Sequence, residues 1–386
     1  MPDAHEALTS PVSDAAGDED RKEPAPGIAL CLSGGGYRAM LFHVGALWRL
    51  NQLGYLSKLD RVSSVSGGSI TAATLAYHWG ELAFDDDGVA QEYVRSVVGA
   101  LRRLARETID GASIIGGIFT PGVSIGDKVA AAYRKHLFGE ATLQTLPDTP
   151  RFVINATNLQ TGSLWRFSKP YMADFRVGVY PNPDVQVAVA VGASSAFPPV
   201  LSPVRLDVDP NGFSPEGRGD LYKPPYSSKL ALSDGGVYDN LGLETAWKRY
   251  KTILVSDGGG RMAPEPEVHG DWARQSLRVN SVIDNQVRNL RKLQVIAGFQ
   301  QGDRDGVYWG IRTHIADYTA PNTLPCPPEQ TLKLAETKTR LAEMDDDLQE
   351  RLINWGYAVC DAGMRTHVVG EDRDDAEFPY PNRGVG

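Results

Sequence analysis

Leu59-Asp60-Arg61-Val62-Ser63-Ser64-Val65-Ser66-Gly67-Gly68-Ser69-Ile70-Thr71-Ala72-Ala73 changes its periodicity half way along. Up to Val65 the residues suit an extended chain, whereas from Ile70 to His78 small and apolar residues recur with helical spacing. The turn between the two falls on Ser66. A serine on a sharp strand-to-helix turn is held in a strained backbone with its hydroxyl presented, as an acyl-transfer nucleophile must be. Strand and helix cross closely there, so only small side chains fit two residues to either side. Ser64 and Gly68 fill those places, with Ser64 standing where glycine is usual.

Upstream, the apolar run Ile28-Ala29-Leu30-Cys31-Leu32 leads into Ser33-Gly34-Gly35-Gly36-Tyr37-Arg38 and then an apolar helix, Ala39 to Leu50. Glycines between a strand and a helix expose backbone N–H groups at the positive end of the helix dipole, a site for a phosphate or for the oxyanion of a tetrahedral intermediate. Gly34-x-Gly36-x-x-Ala39 formally fits a dinucleotide fingerprint, but Asp60 precedes the second strand, whereas a ribose-binding acid follows it. A nucleoside-triphosphate loop needs Gly-Lys-Ser/Thr, which is absent here. An oxyanion loop asks only for small residues at one strand end beside the next strand's nucleophile, and one strand-helix-strand unit supplies both.

A third segment, Leu230-Ala231-Leu232-Ser233-Asp234-Gly235-Gly236-Val237-Tyr238-Asp239-Asn240-Leu241-Gly242, is extended and ends in an acid and two glycines. Together these residues resemble the patatin-like phospholipases, including the cytosolic phospholipase A type. Gly34-Gly35-Gly36-Tyr37-Arg38 is similar to that family's oxyanion loop, Ser64-Val65-Ser66-Gly67-Gly68 to its serine elbow, and Asp234-Gly235-Gly236 to its acid motif. Gly192-Ala193-Ser194-Ser195-Ala196-Phe197-Pro198-Pro199 is similar to a segment lining its active site. The order holds over roughly residues 28 to 245. The resemblance implies an α/β fold, a patatin-like three-layer sandwich with a mainly parallel central sheet and helices on both faces. It implies a Ser-Asp dyad without histidine, with Ser66 as nucleophile and Asp234 as base. Gly34, Gly35 and Gly36 form the implied oxyanion hole, Gly34 mainly by shaping the loop. Arg38 is the implied substrate-binding residue, near a lipid phosphate or the loop's own carbonyls. The expected activity is hydrolysis of carboxylic esters of phospholipids or other lipids through an acyl-enzyme. The alternatives are a broad esterase or thioesterase, or a non-catalytic regulatory protein on the same fold.

Two rivals to the dyad are open to inspection. His43 lies on the helix after the glycine loop, where a third catalytic group could stand, although a structurally satisfied histidine is expected. Thr252-Ile253-Leu254-Val255-Ser256-Asp257-Gly258-Gly259-Gly260 is another strand ending in an acid and glycines, which makes Asp257 a competitor for the base. Asp239 and Asn240 read as braces of their loop.

The 386 residues, 42% of them hydrophobic, can bury a large core, and short apolar strands alternate with amphipathic helices. Strands are expected near residues 28–32, 60–65, 151–157, 163–167, 229–233 and 252–256. The division expected is a disordered acidic tail over 1–26, a catalytic core over 27–260, a mainly helical C-terminal extension over 261–369 packed on that core, and a flexible tail over 370–386. Thr331 to Trp355 reads as one helical stretch. Ile114-Ile115-Gly116-Gly117-Ile118-Phe119-Thr120-Pro121-Gly122 is apolar yet full of breakers, as a mobile lid would be. Leu164 to Phe167 and Tyr171-Met172 read as core.

The formal charge of -9 argues against nucleic acid as a partner. Lipid ester is the expected substrate; Arg274, Arg278, Arg288, Arg291 and Lys292 punctuate an amphipathic helix that reads first as a cover of the core, with transient contact at a membrane surface as the alternative. Cys31, Cys326 and Cys360 are an odd number without metal-ligand spacing, which suits a reducing compartment. No signal-peptide or membrane-span pattern is present, so a cytoplasmic location, peripheral at membranes, is expected. Gly302-Asp303-Arg304-Asp305-Gly306 reads as a hairpin turn rather than a calcium loop, and neither a metal nor a cofactor is expected.

Overall fold

The computed structural model describes residues 23–110, 125–370 and 376–386. Within them β1 (Ala25–Leu32) enters α1 (Gly36–Gln52), β2 (Arg61–Val65) enters α2 (Gly67–Tyr77), and the short helix α3 (Gly99–Ala105) follows. Next come α4 (Ile125–Tyr133), the antiparallel run β3 (Arg151–Asn158), β4 (Ser163–Phe167), β5 (Tyr171–Asp174) and β6 (Gly178–Pro181), then α5 (Val187–Ser194). β7 (Val204–Asp207) and β8 (Lys229–Asp234) pair with each other, and the short helices α6 (Gly236–Asp239) and α7 (Glu244–Trp247) lead to β9 (Tyr250–Asp257). The chain ends with α8 (Trp272–Gln301), β10 (Asp305–Gly310), α9 (Pro328–Ala335) and α10 (Asp346–Met364).

These strands form one mixed sheet in the order β10-β9-β1-β2-β3-β4-β5-β6, with β8 also on β3 and β7 on β8. The five strands β10, β9, β1, β2 and β3 are mutually parallel, and β4 to β8 extend them antiparallel. Helices cover both faces. In β1 the alternation of side chains sends Leu30 and Leu32 into the large core under α1 and α2, and Ala29 and Cys31 toward Leu243, Ala246 and Val295 on the other side. A parallel strand buried on both faces reads as a continuous apolar run, as Ile28 to Leu32 does.

One arrangement positions the site. β2 runs alongside β3 and stops with Val65 opposite Asn155, while β8 comes from the other direction along the same edge and stops with Asp234 opposite Ala156. The two strands meet end to end at adjacent residues of β3.

Several expected boundaries move. β1 begins at Ala25, inside the expected N-terminal tail, and pairs with Tyr250. The sheet runs past residue 260, since β10 lies parallel to β9 and α10 packs along α1. Residues 376–386 are docked rather than free: Tyr380 N–H donates to Asn354 Oδ1 at 2.9 Å and Val385 is buried. Thr331 to Trp355 is two helices, broken between Ala335 and Asp346. Gly302 is the left-handed cap of α8, so the segment after it joins a helix to a strand and is not a hairpin. Trp165, Phe167, Tyr171 and Met172 are core residues. The lid expected at Ile114–Gly122 lies outside the described residues.

Candidate active site

Ser66 has φ 51° and ψ -119°, a conformation that L residues avoid and that aims its side chain out of the β2–α2 turn. A mesh of hydroxyls holds the turn. Ser66 N–H donates to Ser194 Oγ at 3.0 Å, and Ser194 Oγ in turn donates to the Asn155 carbonyl at 2.6 Å. Asn155 Nδ2 donates to the Ser64 carbonyl at 2.9 Å and to Ser63 Oγ at 3.0 Å. The Ser64 hydroxyl donates to the Val153 carbonyl at 3.2 Å and accepts from Ser69, which explains how a serine replaces the usual glycine two residues before the elbow.

Asp234 ends β8 against the Ser66 turn, paired with Ala156 next to the Asn155 that faces Val65. Asp234 Oδ1 accepts the Gly236 N–H at 2.7 Å. Burial raises its pKa to about 7, against the lowering effect of the Gly236 N–H and the neighbouring Ser66 hydroxyl, and the nearby charge of Asp284 on α8 adds to the rise. A carboxylate desolvated in this way is a stronger base than one in water.

Gly34 is the member of the glycine loop whose N–H shapes it. Gly34 N–H donates to the Asn240 carbonyl at 3.0 Å, so it is spent on structure and is no oxyanion donor. Among the described residues the N–H groups of Gly35 and Gly36 have no hydrogen-bond partner, nor does that of Gly67, the residue after the elbow. Gly35 and Gly36 have φ of 145° and 60°, and a β-carbon on Gly36 would press on the Arg340 backbone.

Arg38 corrects the substrate-binding expectation. It is 2% exposed, its Nε and Nη2 donate to the Gly258 carbonyl at 3.2 and 3.1 Å, and Nη1 donates to the Thr337 carbonyl. Burial pulls its pKa down to about 10, which leaves it cationic. Arg38 ties the glycine loop to the β9 turn and has no free face for a substrate phosphate.

His43 is fully buried, with Nε2 donating to the Ser33 carbonyl at 2.9 Å and Nδ1 accepting from Ser256 Oγ at 2.8 Å. The carbonyl fixes the tautomer, and burial lowers the pKa to about 4, so the ring is a neutral brace at neutral pH. Asp257 is engaged elsewhere. Burial would raise its pKa, but Lys292 at 2.7 Å, Tyr308 at 2.8 Å and the Gly259 N–H hold it at about 2. Asp239 braces its loop through Leu241 and Glu244 N–H.

The structure therefore gathers Ser66, Asp234, Gly35 and Gly36 in one place, and sets His43, Asp257 and Arg38 to support. Sequence reasoning missed Gly67 as a donor, although its place after the serine is a signal. It missed the bracing role of Ser194, and the nearness of Asp284 and Asn240 to the pair, for which a linear pattern holds no signal.

A family model described as patatin-like phospholipase matches residues 30–247. No curated protein matches the chain. Among solved structures, human GIVD cytosolic phospholipase A2 shares 13% identity with a TM-score of 0.49, covering 94% of this chain and 63% of that one. The same protein with methyl gamma-linolenyl fluorophosphonate gives 14% and 0.49, covering 93% and 59%. VipD from Legionella pneumophila gives 16% and 0.36, covering 90% and 67%. The chain thus spans less than two thirds of the human phospholipase chains it matches.

Proposed function

The chain belongs to the patatin-like phospholipase family, and from that premise we propose that it is a lipid acyl hydrolase working through a Ser66–Asp234 dyad. The observation that carries this reading is the meeting of the Ser66 turn with a buried carboxylate, Asp234, at adjacent residues of β3, beside unpartnered glycine N–H groups. Ser66 Oγ attacks the ester carbonyl while its proton passes to Asp234. The carbonyl oxygen becomes an oxyanion, stabilised by the N–H groups of Gly35, Gly36 and Gly67. Collapse breaks the ester C–O bond, the departing alkoxide takes the proton from Asp234, and the acyl group stays on Ser66. Water then attacks the acyl-enzyme, giving a proton to Asp234 that returns to Ser66 Oγ as the fatty acid leaves. Phe197 and Val237, each within three residues of a site segment, are exposed large apolar side chains suited to acyl chains.

The protein meets its substrate at a membrane surface, through α8. Each of its five basic residues is paired with a carboxylate, and Trp272, Ile283, Leu290 and Leu293 are all more than half exposed. An apolar stripe left exposed along a helix lies among lipid headgroups and acyl chains at the interface. Among the described residues no helix is long and apolar enough to cross a membrane, so contact is peripheral. A cytoplasmic location belongs to the same proposal.

A fluorophosphonate probe tests the dyad directly. The intact chain is expected to be labelled at Ser66, with Ser66→Ala unlabelled and both Ser66→Ala and Asp234→Asn slowed at least about a thousandfold in ester hydrolysis. Hydrolysis by folded Ser66→Ala at the original rate refutes the proposal.

A further inference from the structure

Beside the dyad lies a cavity of about 200 Å³ to which the reading above assigns no task. That is room for roughly six or seven waters. Its wall is cationic: Arg261, Arg288, Lys292 and Arg312 line it, with Asn285 and Asn289. The lining acid, Asp257, is occupied by Lys292, and Arg288 is paired at 3.0 Å with Asp284 of its own helix. Among the described residues neither Arg261 nor Arg312 has a carboxylate partner. Arg312 Nε and Arg288 Nε are buried N–H groups without any acceptor. Buried guanidinium donors left unpaired cost free energy that an anionic oxygen would recover. Two uncompensated positive charges in one polar cavity match a dianion.

Gly259 of the cavity lining adjoins Asn240, which also adjoins Gly34 of the glycine loop. The cavity sits at the carboxyl ends of β9 and β10, the rim where β2 ends at the Ser66 turn, and the crevice outside the strand ends is where open α/β sheets bind ligands. A β-carbon on Gly34 would lie 2.6 Å from Asn240 Oδ1 and one on Gly259 3.1 Å from Asn240 Nδ2, and that Nδ2 is buried without a partner.

We propose that this cavity binds a phosphate monoester, held by Arg312, Arg288 and Arg261, and that it selects lipid esters carrying such a headgroup. The substrate part rests on the hydrolase reading; the phosphate site does not. The same chemistry could come from a lipid headgroup or from free phosphate, and the arms of the experiment separate them. Inorganic phosphate is titrated calorimetrically into the full chain bearing Ser66→Ala. Binding in the millimolar range or tighter is expected, weakened at least about tenfold by adding Arg312→Gln. Arg261→Gln, on the exposed rim, repeats the test with less risk to folding. In parallel, the hydrolysis of short-chain phosphatidic acid is compared with that of diacylglycerol of the same chain length, as a ratio of kcat/KM. A drop in that ratio of about tenfold in both arginine variants supports a headgroup site. Phosphate binding with an unchanged ratio supports a site for free phosphate and removes the headgroup. No phosphate binding, with the ratio unchanged in both variants, overturns the proposal. If neither lipid is cleaved by the unsubstituted chain while phosphate still binds, the hydrolase reading fails and the phosphate site stands.

Discussion

Ser66 and Asp234 carry opposite kinds of strain, one in the backbone and one in its solvation. A φ of 51° costs on the order of 1–3 kcal/mol at a non-glycine residue, and the hydroxyl mesh of Ser194, Ser69 and Asn155 is what holds it. Asp234 must lose its proton to act as base, and burial places that loss at about pH 7. We expect kcat/KM to rise with pH through an inflection near 7 and to level off above it; a flat profile from pH 5 to 8 would mean that another group takes the proton. The same shift has a consequence for stability. A carboxyl whose folded pKa lies above its unfolded value binds its proton more tightly when folded, so its contribution is complete below about pH 4 and is lost as pH rises through about 7. Asp234→Asn should therefore unfold later than the unsubstituted chain at pH 8, by on the order of a few kcal/mol, and not at pH 4, as thermal denaturation at the two pH values would register. The strand-to-helix turn at Ser66 was legible in the sequence, but the partners of Arg38 were not. An arginine after a glycine loop looks alike in sequence whether it faces a substrate or, as here, the carbonyls of Gly258 and Thr337.

Helix α1 is apolar nearly all round because it is covered by α2 on one side and α10 on the other. The α1–α10 crossing depends on two glycines that face each other's backbone. A β-carbon on Gly45 would collide with the Ile353 carbonyl, and one on Gly356 with the Phe42 carbonyl. Gly45→Ala and Gly356→Ala should each destabilise the fold by about 1–3 kcal/mol or more in chemical denaturation; a change below about 0.5 kcal/mol would show that the helices separate freely. Close by, Arg49 and Arg365 flank Asp361 in a buried ion triad at 2.8 and 3.1 Å, which fixes the register of the two helices. Helix α8 presents the reverse case, with Val295 and Gly298 as its buried residues. Trp272→Glu and Leu293→Glu should reduce sedimentation with vesicles of phosphatidylcholine and phosphatidylglycerol by at least about tenfold, since each places a charge in the apolar stripe. Equal binding by both variants would remove α8 as the contact. The amphipathic character of α8 was visible in the spacing of its arginines, yet its exposure was not, because periodicity shows that a face is apolar and not what covers it.

In the molecule as a whole, the C-terminal third completes the α/β core. β10 closes the sheet beside β9, α10 lies along α1, and the Arg340 carbonyl accepts the Tyr37 N–H at 3.0 Å in the first turn of α1. Arg340 also pairs with Asp110 at 2.6 Å. A chain of residues 23–260, which keeps the span matched by the family model, should therefore fail to unfold cooperatively on heating, because α1 would expose the face that α10 covers; a sharp transition near that of the full chain would contradict this. The sequence by itself determined the local devices: the strand-to-helix turns at Gly34–Gly36 and Ser66, the acid at the end of β8, and the apolar strands around them. Those are set by short-range sterics and by the burial pattern of a few residues, and a linear pattern records both. Only the tertiary structure decided which acid meets the serine. Asp234 and Asp257 each end a strand before glycines, but β8 runs antiparallel into the end of β2 on the shared edge of β3, whereas β9 delivers Asp257 to Lys292. Strand order and direction depend on pairing between segments far apart in the chain, such as Val65 with Asn155 and Ala156 with Asp234, and no local stretch of chain encodes its distant neighbour.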